Sequence, residues 1–156
     1  MRKVVLVIVL VFFFISCGID IPEIEVKLRP PMGLKASFTT NDTVMLEFWG
    51  FNEEDYFSGY VVFVSAYYSD IADTTKPLSE KNKIPDNQTG TLPTFSVLPT
   101  TSPQKYRFEL PLTTKDEKNN LVFFRGVEYY IAVASYSSSK KIYSPLSNIT
   151  NVVLTN

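Results

Sequence analysis

Apolar and polar side chains alternate with a period of two residues in several segments of the chain. Val44, Leu46 and Phe48, for example, share one phase. Successive side chains of a β-strand point to opposite faces, so this alternation predicts strands that bury one face. No window shows a repeat of 3.6 residues, which makes an all-β fold the expectation. The strand candidates are 44–49, 60–65, 106–112, 129–134 and, near the C-terminus, 146–154.

Turn-forming residues separate these segments, at 40–42, 52–55, 115–120 and 137–141. Roughly seven strands on about one hundred residues, with turns at regular spacing, favour a two-sheet antiparallel sandwich. Aromatic residues make up 14% of the chain and charged residues 20%, a balance typical of a folded domain. The 156 residues are enough for one domain with a core of its own.

The order of landmarks along the chain resembles that of a fibronectin type III domain. This resemblance implies an immunoglobulin-like sandwich over most of 31–154, and it implies that the Tyr129 hydroxyl caps the turn before strand F. Phe48 stands where the family usually has tryptophan and Trp49 follows on the opposite face, which leaves a one-residue register shift open. The landmarks are 31–36 as strand A, 44–48 as strand B, Gly59-Tyr60 opening strand C, 123–133 leading into strand F, and 144–147 opening strand G.

The connection between strands C and E, about residues 69–104, is longer than in that family, and we call it the insertion. Proline has no N–H to donate to a sheet, and the insertion holds five prolines among Thr, Asn and Ser. We therefore expect it to be irregular, with at most one short strand near Phe95-Ser96-Val97-Leu98.

The first seventeen residues have the character of an export signal. Arg2 and Lys3 precede an apolar run over 4–15, and acidic residues from Asp20 onward end it. That run suits a secretory leader, and it is short for a membrane-spanning helix, which needs about 20 residues. The sequence therefore predicts a leader over 1–16.

Phe14-Ile15-Ser16-Cys17-Gly18 resembles the lipobox of bacterial lipoproteins, although an aliphatic residue is usual at the position of Phe14. The resemblance implies cleavage before Cys17 and attachment of lipid to its thiol. Cys17 is the single cysteine and has no partner for an intrachain disulfide. Two or three acyl chains, at about 0.8 kcal/mol per buried CH₂, hold a protein firmly at a membrane. The alternative is an ordinary leader that happens to contain a cysteine.

Three parts are therefore expected: a signal peptide over 1–16, a lipidated Cys17 with a spacer over 17–30, and a fibronectin type III-like domain over 31–156. Proline at 22, 30 and 31 favours an extended spacer. The expected location is the bacterial cell envelope, at the outer membrane and cell surface or at a periplasmic face.

Chemistry that depends on histidine is excluded, because the chain contains none. A Ser-His or Cys-His nucleophile and a His/Cys zinc site are thereby ruled out. The acidic runs at 53–55 and 116–117 lie in turns and lack the alternate spacing of a calcium loop. Lysine and arginine do not cluster and the formal charge is −1, which disfavours nucleic acid as a partner. We expect no catalytic residue, no metal and no cofactor.

Aromatic side chains supply the candidate binding surface. In the fibronectin-like arrangement the B–C and F–G loops share one end of the sandwich, and tyrosine and tryptophan offer large contact area at low entropic cost. Several of these rings could instead seal the open end of the core. The candidate residues are Trp49, Phe51, Tyr56, Phe57, Tyr136 and Tyr143.

The sequence thus favours a membrane-anchored, non-catalytic binding or adhesion module with a protein or glycan partner. The alternative is a structural subunit of a larger cell-envelope assembly. An enzyme comes third, because only carboxylate catalysis is left to such a chain.

Overall fold

The computed structural model describes residues 27–155, which fold into nine β-strands, one short α-helix and one 3₁₀ turn. The helix α1 is Tyr68–Ala72 and the 3₁₀ turn is Leu78–Glu80. The strands are β1 (Met32–Phe38), β2 (Thr43–Gly50), β3 (Gly59–Ser65), β4 (Lys83–Ile84), β5 (Phe95–Ser96), β6 (Gln104–Pro111), β7 (Glu128–Ser137), β8 (Ile142–Tyr143) and β9 (Thr150–Val153).

The strands pair in two antiparallel sheets. The first sheet has the order β1-β2-β6. The second has the order β4-β3-β7-β8, with β5 also paired to β3 and β9 also paired to β7. These orders match strands A-B-E and C′-C-F-G of a fibronectin type III sandwich, so the expected all-β fold is confirmed. Among the described residues no helix is long and apolar enough to cross a membrane.

The core between the sheets settles the register of β2. Phe48 is fully buried and meets Tyr60 edge-on at a ring-centroid distance of 4.9 Å, whereas Trp49 is 48% exposed on the opposite face. Val44 and Leu46 are buried on the same side as Phe48. Because burying each such side chain contributes about 1.5–3 kcal/mol, the phase with Phe48 inside is strongly preferred.

The tyrosine corner implied by the family resemblance is present. The hydroxyl of Tyr129 accepts a hydrogen bond from the backbone N–H of Phe124 at 2.9 Å. Burial raises the pKa of the Tyr129 phenol above its ordinary value.

Tyr129→Phe is expected to lower the free energy of unfolding by about 1 kcal/mol, because the Phe124 N–H loses its partner in a partly buried turn. Urea denaturation measures the change. Tyr130→Phe is the matched control, since that hydroxyl donates to Glu128 at the surface and its loss should cost less than about 0.5 kcal/mol. Equal effects of the two substitutions would contradict a special role for Tyr129.

The chain is packed against the sandwich before β1 begins. Leu28 is buried in the main core although the sequence places the domain start at residue 31. The side chain of Asn52 fixes Arg29, the residue after Leu28. Its Oδ1 accepts from Arg29 N at 2.9 Å and its Nδ2 donates to Arg29 O at 3.3 Å. The Ser135 hydroxyl donates to the same carbonyl at 2.6 Å. Residues 28–30 therefore close one end of the sandwich. Cys17 and most of the expected spacer lie outside the described residues.

The insertion is more ordered than its sequence predicts. The short strand expected near Phe95 is confirmed as β5, but the limit of one strand is wrong because β4 also pairs with β3. Thr94 helps to hold these strands together, since its hydroxyl accepts from Val62 N at 2.9 Å and donates to the carbonyl of Ile84. This buried side chain replaces ladder contacts that the proline-rich sequence cannot make.

The insertion also forms a third layer. The outward-facing side chains of β3 and β7, which a two-layer sandwich would leave to solvent, are buried in a second cluster. Leu78 and Leu92 of the insertion and Leu146 of the segment before β9 cover them. The buried members are Val61, Phe63, Ala134 and Tyr136.

Candidate functional site

A groove of about 530 Å³ lies on the outer face of the second sheet. One wall is the first part of the insertion, with Ile71 and Leu78, and the other is the segment before β9, with Leu146 and Ile149. Tyr68 stands at its rim. The lining is mainly apolar, and cavities of roughly 300–1,000 Å³ with such a lining are typical of binding sites.

The insertion wall is held by a buried lysine. Lys81 is only 6% exposed, and its Nζ donates to the carbonyl oxygens of Asp70, Ile71 and Asp73 at 2.9, 3.0 and 2.6 Å. The last carbonyls of a helix have no partner within the helix, so the ammonium group satisfies the end of α1. The position of Ile71 in the groove therefore depends on Lys81.

A second buried lysine extends this bracing to the neighbouring loop. The Lys83 ammonium donates to the carbonyls of Ser79 at 2.7 Å and Lys81 at 3.1 Å. It also pairs with the Glu117 carboxylate at 3.0 Å. Glu117 belongs to one of the two acidic runs of the sequence, and its role here is structural.

The opposite wall exists because the edge strand is interrupted. Pro145 has no N–H, and the chain between β8 and β9 leaves the regular ladder. Serine hydroxyls replace the missing ladder carbonyls: Ser144 Oγ accepts from Ser135 N at 2.9 Å and Ser147 Oγ accepts from Val133 N at 3.0 Å. This detour places Leu146 and Ile149 along the groove.

Exposed tyrosines continue the groove at the end of β3. Tyr67 is 70% exposed, and Tyr68 packs edge-on against Tyr130 with ring centroids 5.6 Å apart. The Tyr130 hydroxyl donates to Glu128 at 3.1 Å, and this hydrogen bond raises the pKa of Tyr130. Groove and tyrosines form one surface, which we call the outer-face site: Tyr67, Tyr68, Ile71, Leu78, Leu146 and Ile149.

The candidate residues of the B–C loop lie at the end of the sandwich closed by residues 28–30. The Arg29 guanidinium lies over the Phe51 ring, 4.1 Å from its centroid. The Tyr56 hydroxyl donates to the Lys27 carbonyl at 3.2 Å, and Trp49 remains largely exposed. Phe51 and Tyr56 therefore contact the incoming chain, as the sealing alternative expects.

The remaining three candidates are packed more deeply. Phe57 is buried in the core with its ring centroid 5.2 Å from that of Tyr60. The centroids of Tyr136 and Tyr143 lie 4.8 Å apart on the outer face of the second sheet. Burial raises the pKa of the Tyr143 phenol to about 12, so it stays neutral. A ligand role for the six residues stays a prediction.

One sequence signal could have revealed the outer-face site. Residues 60–64 are apolar without interruption, and such a run is typical of a strand buried on both faces. A covering layer for strand C was therefore implied, and the long insertion is the segment able to supply it. The exposed pair Tyr67-Tyr68 follows that strand after a single residue, Ala66.

Within residues 27–155 no group of three or more acidic, histidine or cysteine side chains is arranged to hold a metal ion. In the acidic run of the B–C loop, Glu53 is paired with Arg29 at 2.8 Å.

Known structures resemble the chain at the level of the whole sandwich. A Fn3-like protein from Clostridium thermocellum is 16% identical with a TM-score of 0.41, covering 81% of this chain and 93% of that one. The FN1-FN3 domains of chicken CNTN1 are 11% identical with a TM-score of 0.45, covering 83% of this chain and 33% of that one. An alpha-L-rhamnosidase from Dictyoglumus thermophilum is 18% identical with a TM-score of 0.42, covering 83% of this chain and 13% of that one.

The strand order of the two sheets makes the chain a fibronectin type III-like sandwich. No protein-family model and no curated protein sequence matches the chain. Domains of this fold are commonly non-catalytic structural or binding modules.

Proposed function

We propose that this protein is a lipid-anchored lipoprotein of the bacterial envelope and that it binds a protein partner at the outer-face site. The observation that carries the proposal is the groove itself, where aliphatic side chains of two walls meet beside the exposed Tyr68. Large aromatic side chains next to an apolar pocket are the usual anchors of protein interfaces.

The placement of the site suits a tethered protein. Residues 28–30 join the sandwich where β3 begins, whereas Tyr67 and Tyr68 follow the end of β3. The seven residues of that strand span roughly 23 Å at about 3.3 Å per residue. A lipid on Cys17 would therefore leave the tyrosines at the far end, accessible to a partner.

The lining favours a peptide segment over a glycan. Apolar surface from residues such as Leu146 and Ile149 predominates in the lining, and it matches the apolar side chains of a peptide better than the hydroxyl-rich surface of a sugar. Two prolines, Pro77 and Pro145, stiffen the walls, so little entropy is lost when a segment docks between them. An extended stretch of a protein partner, with one or two apolar side chains inserted, fits this shape.

Mass spectrometry of the mature N-terminus, with protease treatment of intact cells, tests the anchor. The expected result is an N-terminal peptide that begins at Cys17 and carries acyl chains. An unmodified peptide that spans Ser16 and Cys17 would overturn the anchor, and protease sensitivity in intact cells would assign the outward leaflet.

Ile149→Asp is expected to weaken partner binding at least about tenfold, because a carboxylate would be desolvated against the partner's apolar side chain. A photoreactive phenylalanine analogue at position 68 of the full chain reports binding in cells as a crosslinked adduct. Ser37→Asp is the matched control, since it places the same charge on the exposed outer face of β1. An adduct that survives Ile149→Asp, or that Ser37→Asp removes equally, would contradict binding in the groove.

A structural subunit of an envelope assembly is the second candidate function. Leu121 and Phe124 are exposed on the loop before β7, and added apolar surface of this kind favours a permanent interface. Purification from membranes separates the two functions: a stoichiometric partner that stays bound through purification supports the assembly role, and a monodisperse protein supports transient binding.

A further inference from the structure

We propose that the end of the sandwich closed by residues 28–30 lies directly against a lipid surface, with Met32, Trp49 and Leu98 in contact with it. We call this the anchor end. The inference rests on the proposed lipid at Cys17, and it adds a second membrane contact made by the folded domain.

Large apolar side chains are exposed at the anchor end. Met32 and Trp49 are cross-strand partners on the outer face of the first sheet, 65% and 48% exposed. Leu98, 83% exposed, lies in a loop tied to the same end, because Thr100 N donates to the carbonyl of Asn52 at 2.8 Å. Tryptophan and leucine at these exposures are typical of surfaces that enter the boundary between headgroups and acyl chains.

The charges at the anchor end are compatible with phospholipid headgroups. Lys105, the cross-strand neighbour of Trp49, pairs with Glu47 at 3.0 Å, whereas the exposed Lys140 and Lys141 lie in the loop after β7. The acidic side chains there are Glu53, which pairs with Arg29, Glu54, which is partly buried, and Asp55, which lies in the exposed turn. Lysine side chains can extend their ammonium groups to headgroup phosphates while an apolar neighbour inserts.

The length of the tether brings this end close to the membrane. Nine residues, 18–26, separate Cys17 from Lys27. Ten residue steps cover at most about 36 Å when fully extended. The chain gains no slack beyond Lys27, because Leu28 is buried and Arg29 is held by Asn52. The tether therefore enters the described domain at the anchor end and holds that end within about 36 Å of a lipid on Cys17.

The single tryptophan of the chain makes the contact measurable. The full-length protein, purified from membranes with its acyl chains, is reconstituted into phosphatidylcholine–phosphatidylglycerol vesicles with or without brominated acyl chains. Contact is expected to lower the intensity of Trp49 emission about twofold in brominated vesicles relative to unbrominated ones. In both kinds of vesicle, contact should also move the emission maximum to shorter wavelength. Equal emission in both kinds of vesicle would overturn the inference.

A relocated tryptophan provides the matched control. In a Trp49→Phe background, Tyr67→Trp puts the probe beyond the opposite end of β3, where no quenching is expected. Quenching there as strong as at position 49 would also overturn the inference, since it would show no preferred orientation. Vesicle flotation separates the two claims: protein that floats with unquenched Trp49 retains the anchor without the contact, and protein that does not float lacks the anchor itself.

Discussion

Lys81→Met should lower the free energy of unfolding by about 3 kcal/mol and loosen the insertion. Methionine keeps the apolar stem of the lysine but leaves the carbonyls of Asp70, Ile71 and Asp73 without their donor. Each hydrogen bond to a charged group contributes about 1.5–3 kcal/mol, and part of this is offset because a buried charge is removed as well. Denaturation in urea and amide hydrogen exchange over the insertion measure the two effects.

Lys76→Met is the matched control for Lys81→Met. Lys76 lies in the same segment but is exposed, so its substitution should change stability by less than about 0.5 kcal/mol. Faster exchange confined to the insertion, with β2 and β6 still protected, is expected for Lys81→Met. Unchanged exchange there would show that Lys81 does not brace the groove.

Gly59→Ala is expected to lower the free energy of unfolding by about 3–5 kcal/mol, enough to unfold a marginal domain. Gly59 has φ +144°, a conformation that side chains rarely adopt, at the start of β3. An added Cβ would overlap the backbone carbonyl oxygen of Phe95 on β5 and lie 2.9 Å from Pro93 Cγ. A backbone atom cannot rotate away, so β5 must separate from β3.

Gly90→Ala separates steric overlap from backbone conformation. Gly90 also has a positive φ, +68°, but a Cβ there would meet nothing within 4 Å. It should therefore cost only about 1–2 kcal/mol, the penalty of the left-handed conformation alone. Thermal or urea unfolding of both variants gives the comparison, and equal losses would contradict the close approach of β5 to Gly59.

The sandwich could be predicted from sequence because its determinants are local. Alternation puts Leu46 and Phe48 in one phase, although a one-residue shift stayed open, and the resemblance to fibronectin type III domains implies the corner that Tyr129 makes. These features depend on residues close in the sequence, and the packing of the core then selects one register.

The insertion could not be predicted in the same way because its order comes from contacts between distant residues. Nothing near Lys83 in the sequence indicates that it will pair with Glu117. A lysine is usually read as a solvent-exposed residue, and only the folded chain shows the Lys81 ammonium inside a ring of carbonyls. Trp49, a candidate from the sequence, is exposed and its ligand role stays a prediction, whereas the groove residues are not among the sequence candidates.

The insertion covers the outer face of the second sheet and so builds the groove. Maleimide labelling of Ala134→Cys in the native full-length protein, read by peptide mass spectrometry, tests it most directly. Ala134 is fully buried on that face, whereas Ser37 is exposed on the outer face of β1. We expect Ala134→Cys to be protected until the protein unfolds and Ser37→Cys to react at once. Labelling of both cysteines at the same rate would show that the outer face of the second sheet is uncovered and would contradict a third layer formed by the insertion.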